Sequence, residues 1–180
     1  MPLFQNVVLK KHIQSLNNEQ TQQAYQKLTS YFHHPDIQAN IRAAKEEQFQ
    51  EGFLRELFVK ILGYTINPEQ NYTLTTEFKN QKGAKKADGA IVDSQKIVKA
   101  VIELKSTKTI DLDSIENQAF GYKNNQKNCR YVITSNFEKI RFYIDNAIDF
   151  IEWNLFTLTQ EQFNELYSLL HQQYLLADIP

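Results

Sequence analysis

Apolar positions recur at helical spacing in the first third of the chain and at alternating spacing in its middle. From about Asn17 to Phe32, Tyr25, Leu28 and Phe32 form one stripe that stops before Pro35, which predicts a packing helix. A longer helical pattern runs from about Ile37 to Leu62 through Phe49, Phe53, Leu57 and Ile61, and Gly63 stands where a left-handed cap would end it. Tyr72 to Phe78 alternates Thr with larger residues and reads as a strand, followed by a turn rich in Lys and Gly. Two more strands follow, one through Lys86 to Val92 and one through Val101 to Lys105, joined by turn formers at Asp93-Ser94-Gln95-Lys96. Ile115 to Asn124 reads as a helix, and Tyr131 to Thr134 and Ile140 to Ile144 as two strands on either side of Asn136-Phe137-Glu138. Thr159 with Gln162 makes a capping box, and Leu158 against Phe163 staples the start of a helix that runs to about Tyr174.

The order is α-β-β-β-α-β-β with extra helices at both ends, which predicts an α/β protein with a mixed central sheet flanked by helices. At 180 residues, 42% hydrophobic and 12% aromatic, the chain has material for one domain with a real core. It divides into a helical extension over about 1–36, a core over 37–150 and a closing helix over 151–180. The ending Leu176-Ala177-Asp178-Ile179-Pro180 reads as a boundary, so a fragment of a longer protein is expected.

The chemistry lies on the two middle strands. Side chains alternate faces along a strand, so Glu103 and Lys105 project from one side of theirs and Ile102 and Leu104 from the other. Asp88 precedes Glu103 by fifteen positions across a turn, and a hairpin would bring the two carboxylates together. The bland alternative is a surface hairpin carrying a salt bridge of little energy. It leaves the apolar flanks of Ile102-Glu103-Leu104-Lys105 without a reason. On the next helix Gln118 and Tyr122 are four apart and share a face.

These residues carry a resemblance. Asp88, Glu103-Leu104-Lys105 and Gln118-Ala119-Phe120-Gly121-Tyr122 resemble the PD-(D/E)xK nuclease pattern with its Gln-x-x-x-Tyr helix. The wording Lys85-Lys86-Ala87-Asp88-Gly89-Ala90-Ile91, Val101-Ile102-Glu103-Leu104-Lys105 and Gln118 to Asn125 is similar, more narrowly, to the amino-terminal nuclease region of type IIG restriction enzymes. The resemblance covers roughly Glu46 to Ile144. The proline that usually precedes the first Asp is Ala87 here, a departure that removes no ligand. The resemblance implies a restriction-endonuclease-like fold and a restriction-type endonuclease acting on DNA. It implies Mg²⁺, with Mn²⁺ as a substitute, held by Asp88, Glu103 and the main-chain carbonyl of Leu104, and Lys105 and Gln118 as catalytic residues. Methyltransferase and target-recognition modules are then expected elsewhere in a full-length chain, since their motifs are absent from these residues.

Phosphodiester hydrolysis needs a nucleophilic hydroxide, charge neutralisation at phosphorus and help for the leaving oxygen, all of which a divalent ion can supply. Mg²⁺ suits an all-oxygen site, and a compact mobile Lys105 fits beside it better than a guanidinium. A further carboxylate often comes from the first helix in this family, and the match to related nuclease openings points to Glu47. On a regular helix Glu47 falls within the arc of Leu54, Phe58 and Ile61, where a carboxylate needs a cation nearby. Glu51 is the runner-up, and Glu46 and Glu56 are expected in solvent.

Charge changes the picture in one way. The net charge is −1, yet residues 79–108 carry +5 and residues 123–141 carry +4, so the basic excess coincides with the motif. Lys82, Lys85, Lys86, Lys123 and Arg130 form the expected patch, with Lys85, Lys86, Tyr122 and Lys123 contacting nucleic acid. Cys129 is the single cysteine, so no intramolecular disulfide can form. His12, His33, His34 and His171 lack metal-ligand spacing, no glycine-rich phosphate loop exists, and no segment is apolar enough to span a bilayer. A cytoplasmic protein with no membrane role is expected. Two readings compete with the DNA endonuclease: a catalytically silent nucleic-acid-binding or scaffold module on the same fold, and a repair or RNA nuclease.

Overall fold

The computed structural model describes residues 3–79 and 86–180. Its centre is a six-stranded sheet of β1 (Leu74–Lys79), β2 (Lys86–Val92), β3 (Val98–Leu104), β4 (Tyr131–Ser135), β5 (Lys139–Ile144) and β6 (Phe150–Asn154), ordered in space as in sequence. All neighbours are antiparallel except β3 and β4, which run parallel because α5 (Asp113–Asn124) crosses between them. Tight turns can return a chain only antiparallel, so the parallel pair needs this helical crossover. The α/β class and the mixed sheet agree with the order read from the sequence.

The sheet is covered on both faces. Ala87, Ala90, Val92, Val101 and Val132 pack with Ala119 and Tyr122 of α5 in a small core. The opposite face, with Ile91, Ala100, Ile102, Leu104 and Ile133, forms the large core with α2 (Asn18–Phe32), α4 (Glu46–Phe53), its continuation Leu54–Ile61 and α6 (Gln160–Leu170). A strand covered on both sides reads as a near-continuous apolar run, which is why β2 and β3 look so apolar around their two carboxylates.

Four elements differ from the expected ones. The long pattern from Ile37 to Leu62 is not one helix. It is α3 (Pro35–Ala43), a break at Ala44 and Lys45, α4, and a π-helical stretch from Leu54 to Ile61. In that stretch the wider turn lets Leu62 donate its N–H to the Leu57 carbonyl, five residues back, at 2.9 Å. A separate helix α1 (Asn6–Gln14) precedes α2 within the helical extension over about 1–36, and the edge strand β6 stands where no strand is expected. In α1 no residue is buried, and in β6 only Trp153 is, so neither leaves a strong periodic mark. The closing helix breaks at His171, and α7 (Gln172–Leu175) follows it.

The caps hold where local chemistry dictates them. Thr159 and Gln162 exchange both bonds of the capping box. Gly63 has φ of 82°, and a Cβ there would lie 3.0 Å from the His171 Nε2. Gly63→Ala is expected to lower unfolding free energy by about 1–2 kcal/mol, from the left-handed backbone alone, as read by urea denaturation.

Candidate active site

The β2–β3 register brings the site together. Gly89 lies opposite Ile102 and Ala90 opposite Val101, and at the end of this ladder Asp88 stands beside Leu104 and close to Glu103. There the Asp88 side chain takes over from the ladder. Its Oδ2 accepts the Leu104 N–H at 2.7 Å, and its Oδ1 accepts from the Gln50 amide at 3.2 Å. Asp88 is thus held by one strand and one helix.

Glu103 is only 1% exposed. Its Oε1 accepts from Lys105 Nζ at 3.2 Å and from the Gln118 amide at 2.7 Å, and that amide also donates to the Tyr122 hydroxyl at 3.0 Å. Its Oε2 is buried and has no hydrogen-bond partner among the described residues. A buried carboxylate oxygen without a partner is costly unless a cation or water takes its lone pairs.

Electrostatics follow from this crowding. Burial, then the neighbouring Asp88, pushes the Glu103 carboxyl up to about 7, against the pull of Lys105. Burial also raises Asp88, although the Leu104 N–H and Lys105 oppose it. For Lys105 burial disfavours the charge, but Glu103, Glu46 and Asp88 outweigh it and the amine titrates above its usual range. Lys105 is therefore a firm cation between two carboxylates that resist ionising together.

The helical carboxylate is Glu46, not Glu47. Glu46 lies 3.5 Å from Lys105 Nζ and accepts from Gln50 at 3.2 Å, whereas Glu47 is exposed. The expectation for Glu47 assumed one regular helix from Ile37 to Leu62. The π-helical widening that begins at Leu54 shifts the phase between Glu47 and Phe58 and Ile61. Within α4 itself, Glu46 and Gln50 share a stripe at four-residue spacing and face the strands. Glu51, the runner-up, pairs instead with Arg55 at 2.9 Å in solvent. That four-residue spacing was the available signal for Gln50.

The nucleic-acid contacts divide. Tyr122 is buried in the small core with its hydroxyl tied to Gln118, so it supports that amide and does not form a surface contact. Lys86 is exposed but lies 3.6 Å from Glu77, and Arg130 lies 3.5 Å from Asp145. Lys123 follows Tyr122 at the last turn of α5. Lys82 and Lys85 lie outside the described residues.

Among the described residues no group of three or more His, Cys, Asp or Glu side chains is placed to hold a metal ion. Mg²⁺ is typically bound through one or two carboxylates, with water and phosphate oxygens completing an octahedron. The pair Asp88 and Glu103, with Glu103 Oε2 unpartnered, fits that donor set. No described helix is long and apolar enough to cross a membrane.

No known protein family matches the chain in sequence, and no curated protein does. Among solved structures, the chain is similar to a protein in the cryoEM structure of the DrdV–DNA complex, with 12% identity and a TM-score of 0.45. The similarity covers 83% of this chain and 14% of that one, so the chain spans about a seventh of that protein's length. The site described above stands on its own geometry.

One prediction arises directly from the Gln50 contact. Gln50→Met keeps the volume and removes the donor shared by Glu46 and Asp88. Its affinity for Mn²⁺, read by calorimetry, is expected to fall about 10- to 100-fold, as for other groups that orient a ligand from behind. Unchanged affinity would show that the Leu104 N–H alone fixes Asp88.

Proposed function

We propose that this chain is a metal-dependent nuclease domain that hydrolyses phosphodiester bonds in DNA. In this reading it is a restriction-type endonuclease of the type IIG kind, whose methyltransferase and target-recognition modules belong to a longer chain. The observation that supports it most is the convergence of Asp88, Glu103 and Lys105 at the end of the β2–β3 pair, with a buried oxygen of Glu103 left without a partner.

Asp88 and Glu103, with the Leu104 carbonyl, would hold Mg²⁺ or Mn²⁺. The ion, when bound, supplies charge neutralisation at phosphorus and acidifies the attacking water. Asp88 is oriented by the Leu104 N–H and Gln50, and Glu103 by Gln118. Lys105, a cation at neutral pH, donates to the attacking water and to a phosphate oxygen; its raised pKa suits charge stabilisation and not proton abstraction. Glu46 holds the amine in place from the helix side. Gln118 acts through Glu103, because both hydrogens of its amide are taken by that carboxylate and the Tyr122 hydroxyl.

The test is incubation of supercoiled plasmid, and in parallel of RNA, with the protein in Mg²⁺, Mn²⁺ and EDTA, alongside calorimetric titration with Mn²⁺. Nicking or linearisation only with the metals is expected. Failure to bind Mn²⁺ and to cleave would favour the silent binding module, and preferential cleavage of RNA would favour the RNA nuclease.

A further inference from the structure

Two exposed lysines outside the patch read from the sequence lie near the site along the chain, Lys45 beside Glu46 and Lys108 three residues after Lys105. The segment between β3 and α5, residues 105–112, leaves the site at Lys105 and is fastened at alternate residues. Thr107 Oγ1 donates to the Arg42 carbonyl at 3.4 Å, the Thr109 carbonyl accepts from the Asn136 amide at 2.8 Å, and Asp111 Oδ1 accepts the Asp113 N–H at 2.9 Å. The Thr109 N–H donates to the Ser106 carbonyl at 3.0 Å. Between these anchors, Lys108 and Ile110 are exposed, Ile110 by 78%. A single exposed isoleucine is ordinary. This one sits on a backbone tied down on both sides, five residues along the chain from Lys105.

The bond to Arg42 also lays this segment against the junction of α3 and α4, where Lys45 is exposed one residue before Glu46. Among the described residues neither Lys45 nor Lys108 pairs with a carboxylate. Lys86 and Arg130, by contrast, are each beside one. Two cations without an ion pair among the described residues therefore flank the cluster along the chain, Lys45 next to Glu46 and Lys108 three residues after Lys105, and the exposed Ile110 lies between two fastened neighbours.

Resting on the nuclease reading, we infer that Lys45, Lys108 and Ile110 form the surface that seats the duplex across the site. Lys45 and Lys108 contact phosphates and Ile110 packs against the sugar and base edges of a groove. Ammonium groups on phosphate give salt-dependent, sequence-independent affinity. An apolar side chain in a groove adds affinity without counterion release, and it opens or widens a base step when it is stiff and already placed. The fastened backbone keeps the ordering cost of that contact low.

The experiment is titration of a labelled duplex in EDTA at several salt concentrations, read by anisotropy, with thermal melts to confirm folding of each variant. Lys45→Ala and Lys108→Ala are each expected to lower the slope of log affinity against log salt by about 0.9. Ile110→Ala is expected to weaken binding at every salt concentration with the slope unchanged. Ile110→Trp, on a chain whose only other tryptophan is the buried Trp153, is expected to lose fluorescence as DNA is added. Lys10→Ala, on α1, serves as the unchanged control. Unaltered slopes in both lysine variants, or emission from the Ile110→Trp variant that is indifferent to DNA, would overturn the inference. A wild-type protein that binds Mn²⁺ but no duplex would overturn this surface alone, while one that binds neither would overturn the nuclease reading with it.

Discussion

Asp88→Asn and Glu103→Gln are each expected to reduce Mg²⁺-dependent plasmid cleavage on the order of a thousandfold or more, with the fold intact. Both changes keep the side-chain shape and remove an anionic donor from the pair that would hold the ion. A divalent ion at phosphorus stabilises the transition state by several kcal/mol, and each factor of ten in rate corresponds to about 1.4 kcal/mol. Lys105→Met is expected to lose activity as well, but to keep Mn²⁺ binding, because the amine sits beside the carboxylates without being a ligand. The two measurements, cleavage and Mn²⁺ titration, separate these roles. Full activity in Asp88→Asn would remove the site.

The second large effect is on stability of the metal-free protein. Glu103 titrates at about 7 in the folded state, because it is buried and beside Asp88, against an ordinary 4.5 when unfolded. A carboxyl whose folded value is raised binds its proton more tightly when folded. It therefore costs nothing below pH 4.5 and costs progressively more as pH rises to about 7, with the full cost above that. The cost amounts to roughly 3 kcal/mol at most. In EDTA, Glu103→Gln should match the wild type in unfolding free energy near pH 4.5 and exceed it by up to about 3 kcal/mol at about pH 8. His171, which burial lowers to about 4, acts in the opposite sense, destabilising the fold as pH falls from 6.5 through 4. That contribution is common to both proteins and cancels in the difference. Adding Mn²⁺ at about pH 8 should stabilise the wild type and leave Glu103→Gln nearly unmoved. A Glu103→Gln protein less stable than the wild type under alkaline conditions in EDTA would mean that the ionised carboxylate is held by its partners more strongly than burial opposes it.

Much of the candidate site was legible because strands encode faces locally. Glu103 and Lys105 share a face by period two, and the turn at Asp93 to Lys96 returns β2 beside β3, so the hairpin follows from neighbouring residues. The same locality made Gln118 and Tyr122 a pair on α5, the crossover between β3 and β4, and Thr159 a cap. The failures share a cause. Glu47 rests on a helical wheel carried into a stretch where the helix widens, and the phase of a wheel does not survive that change. The charge patch was read by counting lysines. Pairing of Lys86 with Glu77 and of Arg130 with Asp145 depends on strands and turns meeting in space.

By itself, then, the sequence determined the α/β class, the strand pair carrying Asp88, Glu103 and Lys105, and the helix carrying Gln118, since all of these rest on periodicity and turn chemistry within a few residues. Tertiary structure alone decided that Glu46 and Gln50, and not Glu47, complete the cluster, that Tyr122 is buried, and that the segment after Lys105 lies against the junction of α3 and α4. The reason is that the register of α4 against the sheet is set by packing Phe53, Leu54, Leu57 and Phe58 into the large core. That burial fixes the rotation of the helix, and with it which of two adjacent glutamates reaches the lysine.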